Sequence, residues 1–406
     1  MDSVRMKIMT PFYRVTTVVM AASFLTLFSP SSYAEQPSAP PQIDAKAFIL
    51  MDATSGRVLA ELNADERLDP ASLTKIMTSY VVGQAIKAGK IKPDDRVTVG
   101  SDAWANGNPS LRGSSLMFLK PGDQILVSDL NKGMVIQSGN DASIALADYV
   151  AGSQQAFISL MNQYAASLGL SNSHFLTVHG LDTPGQYSTA RDMSRLTQAL
   201  IRDLPDEYAL HSEKAFTFNK INQPNRNRLL WSATLRVDGV KTGFTHGAGY
   251  NLVSSAVEGG TRLIAVVLGS SSDAIRFRES EKLLAWGFRF FETVTVVRTD
   301  EPFTTQRVWF GVENRVRLGV TQDAAVTVPK GQVKNVKANF TLNARPLQAP
   351  LKQGQVVGSL DFTLDGVVVG QRPLVVMDEV PEAGLLGRLW DAILMKLSGW
   401  FGGLFS

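Results

Sequence analysis

The sequence contains no cysteine among its 406 residues and only four histidines. Without cysteine it can form neither a disulfide nor a thiolate metal site, and a lipid anchor on cysteine is excluded. His174, His179, His211 and His246 are scattered, and there is no H-E-x-x-H zinc helix, Walker loop or G-x-S-x-G elbow. We therefore expect a fold held by its apolar core and a site without metal or another cofactor.

Charge of one sign and long apolar runs are also scarce. A formal net charge of +3 gives no indication of nucleic-acid binding. The apolar stretch Val15–Leu27 is shorter than the roughly 20 residues that a spanning helix needs. It follows three basic residues and precedes the small-x-small segment Ser32–Ala34, which is typical of a secretory signal peptide over residues 1–34, cleaved near Ala34. A retained membrane helix is the alternative.

Two segments have the pattern of a β-hairpin, one around Thr54–Gly56 and one around Gly259 and Gly260. Between and after them, apolar residues recur at helical spacing. The predicted helices are Ser72–Lys87, Asn140–Val150, Gln154–Leu168, Thr189–Ile201 and Ala274–Thr293. This order predicts an α+β domain over residues 43–296, in which early and late strands join one antiparallel sheet.

The last part of the chain has a different residue pattern. Residues 297–381 consist of short alternating segments closed by Gly, Pro or Asn, which predicts a small all-β domain. Residues 382–406 predict an amphipathic helix with Arg388, Asp391 and Ser398 opposite an apolar side. That apolar side consists of Leu386, Trp390, Ile393, Leu397, Trp400, Phe401 and Leu404.

The composition of this last helix favours a position in the membrane surface. A spanning orientation would place its charges in hydrocarbon at about 2.5–3.5 kcal/mol each, whereas an in-plane helix keeps them in water. We expect membrane anchoring. A terminal helix packed on the β domain is the alternative.

The segment PASLTKIMTSYVV places Ser72 three residues before Lys75 at the start of a predicted helix. Residues at this spacing share a helix face, so the hydroxyl and the amine lie within hydrogen-bond reach. A lysine acts as a base only when neutral, and lowering its pKa from about 10.4 toward 7 costs roughly 4–5 kcal/mol. Burial or a second cation must supply that free energy, so the pair predicts an activated nucleophile beside another positive group.

Two companion motifs strengthen this hypothesis, because each occurs once in the chain. Ser138-Gly139-Asn140 lies between two helical stretches, where a turn capped by Asn140 or Asp141 is the structural alternative. Lys241-Thr242-Gly243 lies on a predicted strand, where chance would supply about 0.1 copies per chain.

In these three motifs the sequence resembles the serine penicillin-recognising enzymes, whose signatures are S-x-x-K, S-x-N and K-T-G. It is most similar to the periplasmic, low-molecular-mass penicillin-binding proteins that act as D-alanyl-D-alanine carboxypeptidases. The segments GNPSLRGSSLMFLKPGD, QPNRNRLLW and EKLLAWGFRFFETV support the same resemblance. It implies a transpeptidase/β-lactamase-like α+β domain, with an antiparallel sheet and a helical cluster, before the all-β domain.

The resemblance also implies roles at matching positions. Ser72 would be the nucleophile, Lys75 its general base, and Ser138 a proton relay to the leaving D-alanine. Lys241 would supply the neighbouring positive charge. The residues expected to bind substrate are Asn140, Lys241, Thr242, Gly243, Phe244 and Arg276, with the backbone N–H groups of Ser72 and Phe244 as oxyanion hole.

The implied function is removal of the terminal D-alanine from peptidoglycan stem pentapeptides through an acyl-enzyme, in wall maturation and cell shape. The implied partners are those stem peptides, β-lactam antibiotics that acylate the same serine, and the membrane surface. The implied location is the periplasmic face of the bacterial inner membrane. Two alternatives stay open: a β-lactamase, although no E-x-x-L-N-like segment is present, and a membrane-tethered peptidoglycan-binding sensor.

Overall fold

The computed structural model describes residues 39–402, with side chains through Lys396, so the predicted signal peptide lies outside the described residues. Within that range, helices alternate with strands in the first two thirds of the chain. The α-helices are α1 Thr74–Lys87, α2 Val127–Ile136, α3 Asn140–Ala151, α4 Gln154–Ser167, α5 Ala190–Asp203, α6 Pro205–Ala209, α7 Asp273–Phe290 and α8 Leu385–Gly402. Short 3-10 turns occupy Ala71–Leu73, Pro109–Leu111, Leu210–Ser212, Arg228–Trp231 and Val333–Asn335.

The strands fall into one large sheet before α7, two small hairpins, and a β-rich region after α7. The first ten are β1 Ala47–Asp52, β2 Val58–Leu62, β3 Arg96–Thr98, β4 Gln124–Leu126, β5 Ala215–Phe218, β6 Ile221–Pro224, β7 Val237–Thr245, β8 Gly249–Glu258, β9 Thr261–Ser270 and β10 Phe291–Val297. The others are β11 Thr304–Trp309, β12 Arg315–Gly319, β13 Ala324–Pro329, β14 Lys337–Leu342, β15 Leu347–Gln348, β16 Val356–Leu364 and β17 Val367–Val376.

The main sheet has the order β2-β1-β9-β8-β7, and all its pairs are antiparallel. The first hairpin therefore joins the last strands of the same domain through β1 and β9, where Leu50 pairs with Ala265. This confirms the α+β fold and the prediction that early and late strands share one sheet.

The two faces of this sheet pack against different helices. Ile49 and Val266 point into the cluster formed by α1 to α5, whereas Leu50 and Leu263 pack against α7. Because side chains alternate along a strand, burial on both faces makes the central strands almost continuously apolar. Each fully buried Leu or Ile contributes about 1.5–3 kcal/mol, so the sheet is a rigid platform for β7, the strand that carries Lys241.

The five helices predicted before residue 297 are present, with two corrections, whereas α2 and the short α6 were not predicted. The helix predicted from Ser72 begins at Thr74, because Ala71–Leu73 form a 3-10 turn. The helix predicted to reach Thr293 ends at Phe290, and Phe291–Val297 is strand β10, which pairs with β13. The segment is rich in β-branched residues, and these favour a pleated strand once a partner is present.

The β-rich region after α7 is attached to the main sheet by side-chain hydrogen bonds. Thr293 Oγ1 donates to the buried Asp52 carboxylate at 2.7 Å, and Ser55 Oγ lies 2.6 Å from Thr327 Oγ1. Its six-stranded sheet has the order β14-β16-β17-β12-β11-β15. Among residues 39–402 no helix combines the length and apolar character needed to cross a membrane.

Candidate active site

Ser72 lies in the 3-10 turn that leads directly into α1, half-buried at the floor of a cavity of about 470 Å3. Two glycines permit this turn. A Cβ on Gly180, whose φ is +89°, would stand 1.9 Å from the Ala71 carbonyl oxygen, and one on Gly243 would stand 3.0 Å from that of Pro70. The backbone of two other segments thus closes on the turn that presents the hydroxyl.

Lys75 is completely buried beneath Ser72. Its Nζ donates to Ser72 Oγ at 3.1 Å, Asn140 Oδ1 at 2.6 Å and the His179 carbonyl oxygen at 2.6 Å. Burial, and secondly the positive charge of Arg226, lowers the pKa of Lys75 from 10.5 to about 7. Asp141 acts in the opposite direction. A neutral amine directed at the hydroxyl is therefore accessible near neutral pH.

Lys241 approaches from β7 and meets the second motif. Its buried Nζ donates to Ser138 Oγ at 3.0 Å and to the Thr242 carbonyl oxygen at 3.0 Å. Burial, followed by the charges of Lys75, Arg226 and Arg276, lowers the pKa of Lys241 well below its ordinary value. From the sequence, Lys241 was expected to supply the positive charge that lowers the pKa of Lys75. In the structure this pKa is lowered by burial and by the charge of Arg226.

The Ser138-Gly139-Asn140 turn is not merely a helix cap. Gly139 takes the N-cap position of α3, and the Asn140 side chain binds Lys75 instead of capping. The Asp141 carboxylate accepts the backbone N–H groups of Met117 at 2.8 Å and Leu119 at 3.1 Å. Asp141 thereby fastens the preceding loop to the motif that carries Ser138.

After Lys241, strand β7 lines the cavity with Thr242, Gly243 and Phe244. The Phe244 ring is 44% exposed and lies against Tyr250, with ring centroids 4.4 Å apart. His246 is exposed and also lines the cavity.

Arg276 lines the cavity from the first turn of α7. Its Nη1 donates to the Gly243 carbonyl oxygen at 2.9 Å and to that of Asn251 at 3.2 Å, and its Nη2 pairs with Asp273. Because carbonyls and a carboxylate already hold this guanidinium, it fixes the position of β7 as well as adding positive charge.

The structure thus brings together every residue predicted for the site. Sequence reasoning missed two further contributors. Arg226, in the segment QPNRNRLLW, lines the cavity and lowers the pKa of both lysines, yet no motif marked it. His179 acts through its carbonyl oxygen, for which a side chain gives no signal.

Comparison with known proteins agrees with this geometry. A family model described as D-alanyl-D-alanine carboxypeptidase matches residues 34–272, and one described as the C-terminal domain of penicillin-binding protein 5 matches residues 291–382. The chain is 66% identical over 386 residues to D-alanyl-D-alanine carboxypeptidase DacC of Escherichia coli (strain K12), which covers 95% of this chain and 96% of that protein.

Solved structures support the same assignment. Penicillin binding protein 5 from Haemophilus influenzae is 50% identical, with a TM-score of 0.81 over 85% of this chain and 100% of that chain. Ampicillin-bound penicillin-binding protein D2 from Listeria monocytogenes is 30% identical, with a TM-score of 0.55 over 62% of this chain and 100% of that chain. These matches confirm the resemblance inferred from the three motifs: the chain belongs to the D-alanyl-D-alanine carboxypeptidase family of serine penicillin-binding proteins.

Proposed function

We propose that this chain removes the terminal D-alanine from peptidoglycan stem peptides with Ser72 as nucleophile and Lys75 as general base. The family activity is that of a serine D-Ala-D-Ala carboxypeptidase. The observation that carries the residue assignment is the 3.1 Å hydrogen bond between Lys75 Nζ and Ser72 Oγ at an amine whose pKa is about 7.

The reaction proceeds in two balanced steps. Neutral Lys75 takes the Ser72 proton as Oγ attacks the carbonyl carbon between the two D-alanines, and the N–H groups of Ser72 and Phe244 stabilise the oxyanion. When the C–N bond breaks, the proton held by Lys75 passes through Ser138, whose hydroxyl is bonded to Lys241, to the amine of the departing D-alanine, and Lys75 is neutral again. Water then attacks the acyl-enzyme, and its proton returns through Lys75 as Ser72 is released.

The cavity is suited to a substrate that ends in a carboxylate. Arg226, Arg276 and Thr242 line the cavity, and Lys241 lies close enough to both arginines for their charges to lower its pKa. Arg276 is already paired with Asp273, whereas Arg226 has no acidic partner among residues 39–402. We propose that Arg226, with Thr242 and Lys241, receives the terminal carboxylate, while Asn140 binds the substrate amide and Arg276 fixes the β7 edge.

Arg226→Gln should impair binding and also shift the pH dependence. Removing this charge raises the pKa of Lys75, so the rise of kcat/KM with pH should move to higher pH, and KM should increase about tenfold through a lost charge-assisted hydrogen bond. The measurement is D-alanine release from an acyl-D-Ala-D-Ala peptide between pH 5.5 and 9. Arg195→Gln, which removes an exposed arginine on α5, is the control, and an unchanged pH profile in Arg226→Gln would contradict the assignment.

A β-lactamase is the second candidate, because it shares the same three motifs, and the structural relative from Listeria monocytogenes was solved with ampicillin, a β-lactam, bound. We expect β-lactams to acylate Ser72 and the resulting acyl-enzyme to be hydrolysed slowly. Steady, rapid hydrolysis of nitrocefin would favour the β-lactamase, and binding of peptide without D-alanine release would favour a sensor.

We also propose that the protein works at the periplasmic face of the inner membrane and is held there by α8. Asp391, on the polar side of α8, accepts the Phe310 N–H at 2.6 Å and so ties the helix to the β-rich region. The apolar side stays uncovered, with Leu386 85% and Trp390 63% exposed. Leu397, Trp400, Phe401 and Leu404 lie outside the described side chains. A helix held by its polar side leaves its apolar side available to lipid.

Replacing Leu386 and Trp390 together with glutamate should release the protein from membranes. Loss of two apolar anchors costs about 2–4 kcal/mol, which corresponds to roughly 30-fold to 1000-fold weaker partitioning. The measurement is co-sedimentation with vesicles of phosphatidylethanolamine and phosphatidylglycerol, and D-alanine release should be retained. Arg388→Gln is the control. Undiminished sedimentation of the double variant, or of a chain lacking residues 383–406, would place the anchor elsewhere.

A further inference from the structure

A second buried polar cluster lies one helical turn beyond Lys75 along α1. Ser79 is fully buried, and its hydroxyl makes a short hydrogen bond with Glu207 Oε1. Asn131 Nδ2 donates to Glu207 Oε2 at 2.6 Å. Glu207 lies on α6 and lines a cavity of about 510 Å3 that is separate from the one above Ser72. None of these side chains has a part in the reaction as described above.

His211 connects this cluster to the strand that carries Lys241. The imidazole is fully buried, with Nε2 3.2 Å from Ser79 Oγ and Nδ1 3.0 Å from the Val240 carbonyl oxygen. Val240 immediately precedes Lys241 on β7. A continuous hydrogen-bonded chain therefore runs from Glu207 to the backbone beside Lys241.

The number of protons in this hydrogen-bonded chain of side chains follows from its geometry. A carbonyl oxygen only accepts, so His211 Nδ1 must carry a proton to bond Val240. The Nε2 of a neutral imidazole then accepts, and the Ser79 hydroxyl proton is used to bond it. With a neutral imidazole, Ser79 therefore has no second proton for Glu207, and their contact is then a hydrogen bond only if Glu207 is protonated and donates.

The same number of protons also permits an imidazolium facing a carboxylate. Burial favours the uncharged arrangement, since it raises the pKa of Glu207 to about 7 and lowers the pKa of His211 to about 4. The titratable groups around these side chains include Lys75 on α1, Lys241 on β7 and Tyr208, whose ring stacks on that of His211. Around the second cavity they are Lys87, Lys132 with its partner Glu213, Asp203 and Asp206. Lys241 further disfavours an imidazolium at His211.

We propose that Glu207, Ser79 and His211 form a proton-bearing chain that positions Lys241. The protonated carboxyl donates to Ser79, Ser79 donates to His211, and His211 donates to the Val240 carbonyl oxygen, which fixes the backbone next to Lys241. Loss of the Glu207 proton leaves His211 without a donor at Nε2 and weakens the attachment of β7. These are positioning residues, and the inference rests on the proposed role of Lys241.

Glu207→Gln tests the proton directly, because its amide donates to Ser79 and accepts from Asn131 at every pH. We expect D-alanine release close to wild type at pH 6, and a ratio of kcat/KM, variant over wild type, that rises at least threefold between pH 6 and 8.5. Glu213→Gln, which changes a partly buried glutamate paired with Lys132, should leave the ratio flat. A flat ratio for Glu207→Gln would overturn the proposal.

Stability provides a second readout with a defined sign. Glu207 has an ordinary pKa of 4.5, and its folded value is about 7, so its stabilising contribution is complete below about 4.5 and is lost as the pH rises through 7. The difference in melting temperature, Glu207→Gln minus wild type, should therefore increase as the pH rises. An equal difference at pH 5 and pH 8 would contradict a protonated Glu207.

Ser79→Ala breaks the chain at its centre without adding volume. Adding Glu207→Gln to Ser79→Ala should leave kcat/KM unchanged at every pH, because the two changes act on one chain. An undiminished effect of Glu207→Gln in that background would refute coupling through Ser79. Labelling of Ser72 by fluorescent penicillin distinguishes failure of the proposed function from failure of this inference. A wild type that neither labels nor releases D-alanine would contradict the proposed function. An active wild type with a flat kcat/KM ratio for Glu207→Gln would contradict this inference alone.

Discussion

Ser72→Ala should abolish both D-alanine release and covalent labelling by fluorescent penicillin. Removal of a nucleophile from a hydrogen-bonded catalytic unit costs about 10^3-fold or more in kcat, and residual turnover comes from the rest of the site. The change deletes one half-buried oxygen that accepts a single hydrogen bond from Lys75. The folded state should therefore lose no more than about 1 kcal/mol of stability.

The control for this experiment is Ser159→Ala, which removes an exposed hydroxyl on α4 that bonds only the local backbone. It should label and turn over like wild type. Covalent labelling that persists in Ser72→Ala, with an unchanged melting temperature, would show that another side chain carries the acyl group. Ser138 would then be the first residue to replace, because its hydroxyl faces the same cavity.

The sequence predicted most of the main sheet because its strands carry their own signals. Apolar runs on either side of a glycine-rich turn define the β8–β9 hairpin whatever lies around it. Strand β10 had no such boundary. The apolar side of α7 runs on through Phe288, Phe290 and Phe291 without glycine or proline, so local periodicity extended the helix, and only pairing with β13 reveals where it ends.

The site shows the same division between local and distant information. The spacing of Ser72 and Lys75 is a property of one helix turn, so sequence alone predicted their contact. Lys75 meets Asn140 from 65 residues away and the His179 carbonyl from 104 residues away. Motif identity predicted that Asn140 shares the site with Lys75, but not that the two side chains bond each other. The contribution of a backbone carbonyl, or of the charge of Arg226, follows only from the folded chain.

Lys75→Arg separates the two properties that the proposed mechanism requires of this side chain. Arginine keeps the positive charge and the capacity to donate to Ser72 and Asn140, but its pKa, far above that of lysine, prevents it from becoming neutral. We expect a loss of about 10^2-fold to 10^4-fold in D-alanine release, the usual contribution of general-base catalysis. Release by wild type should rise with pH through about 7, as Lys75 loses its proton, and the residual activity of Lys75→Arg should lack that rise.

Because the site of Lys75 is completely enclosed, the larger arginine can disturb folding, and Lys75→Gln is the companion variant. Glutamine fits the volume, retains a donor toward Asn140 and is never a base. Both variants should keep a cooperative melting transition. If Lys75→Gln folds and still releases D-alanine with the same rise through pH 7, the group that titrates there is not Lys75. The remaining buried amine in the site, Lys241, would then be the base, since its pKa is lowered by the same burial.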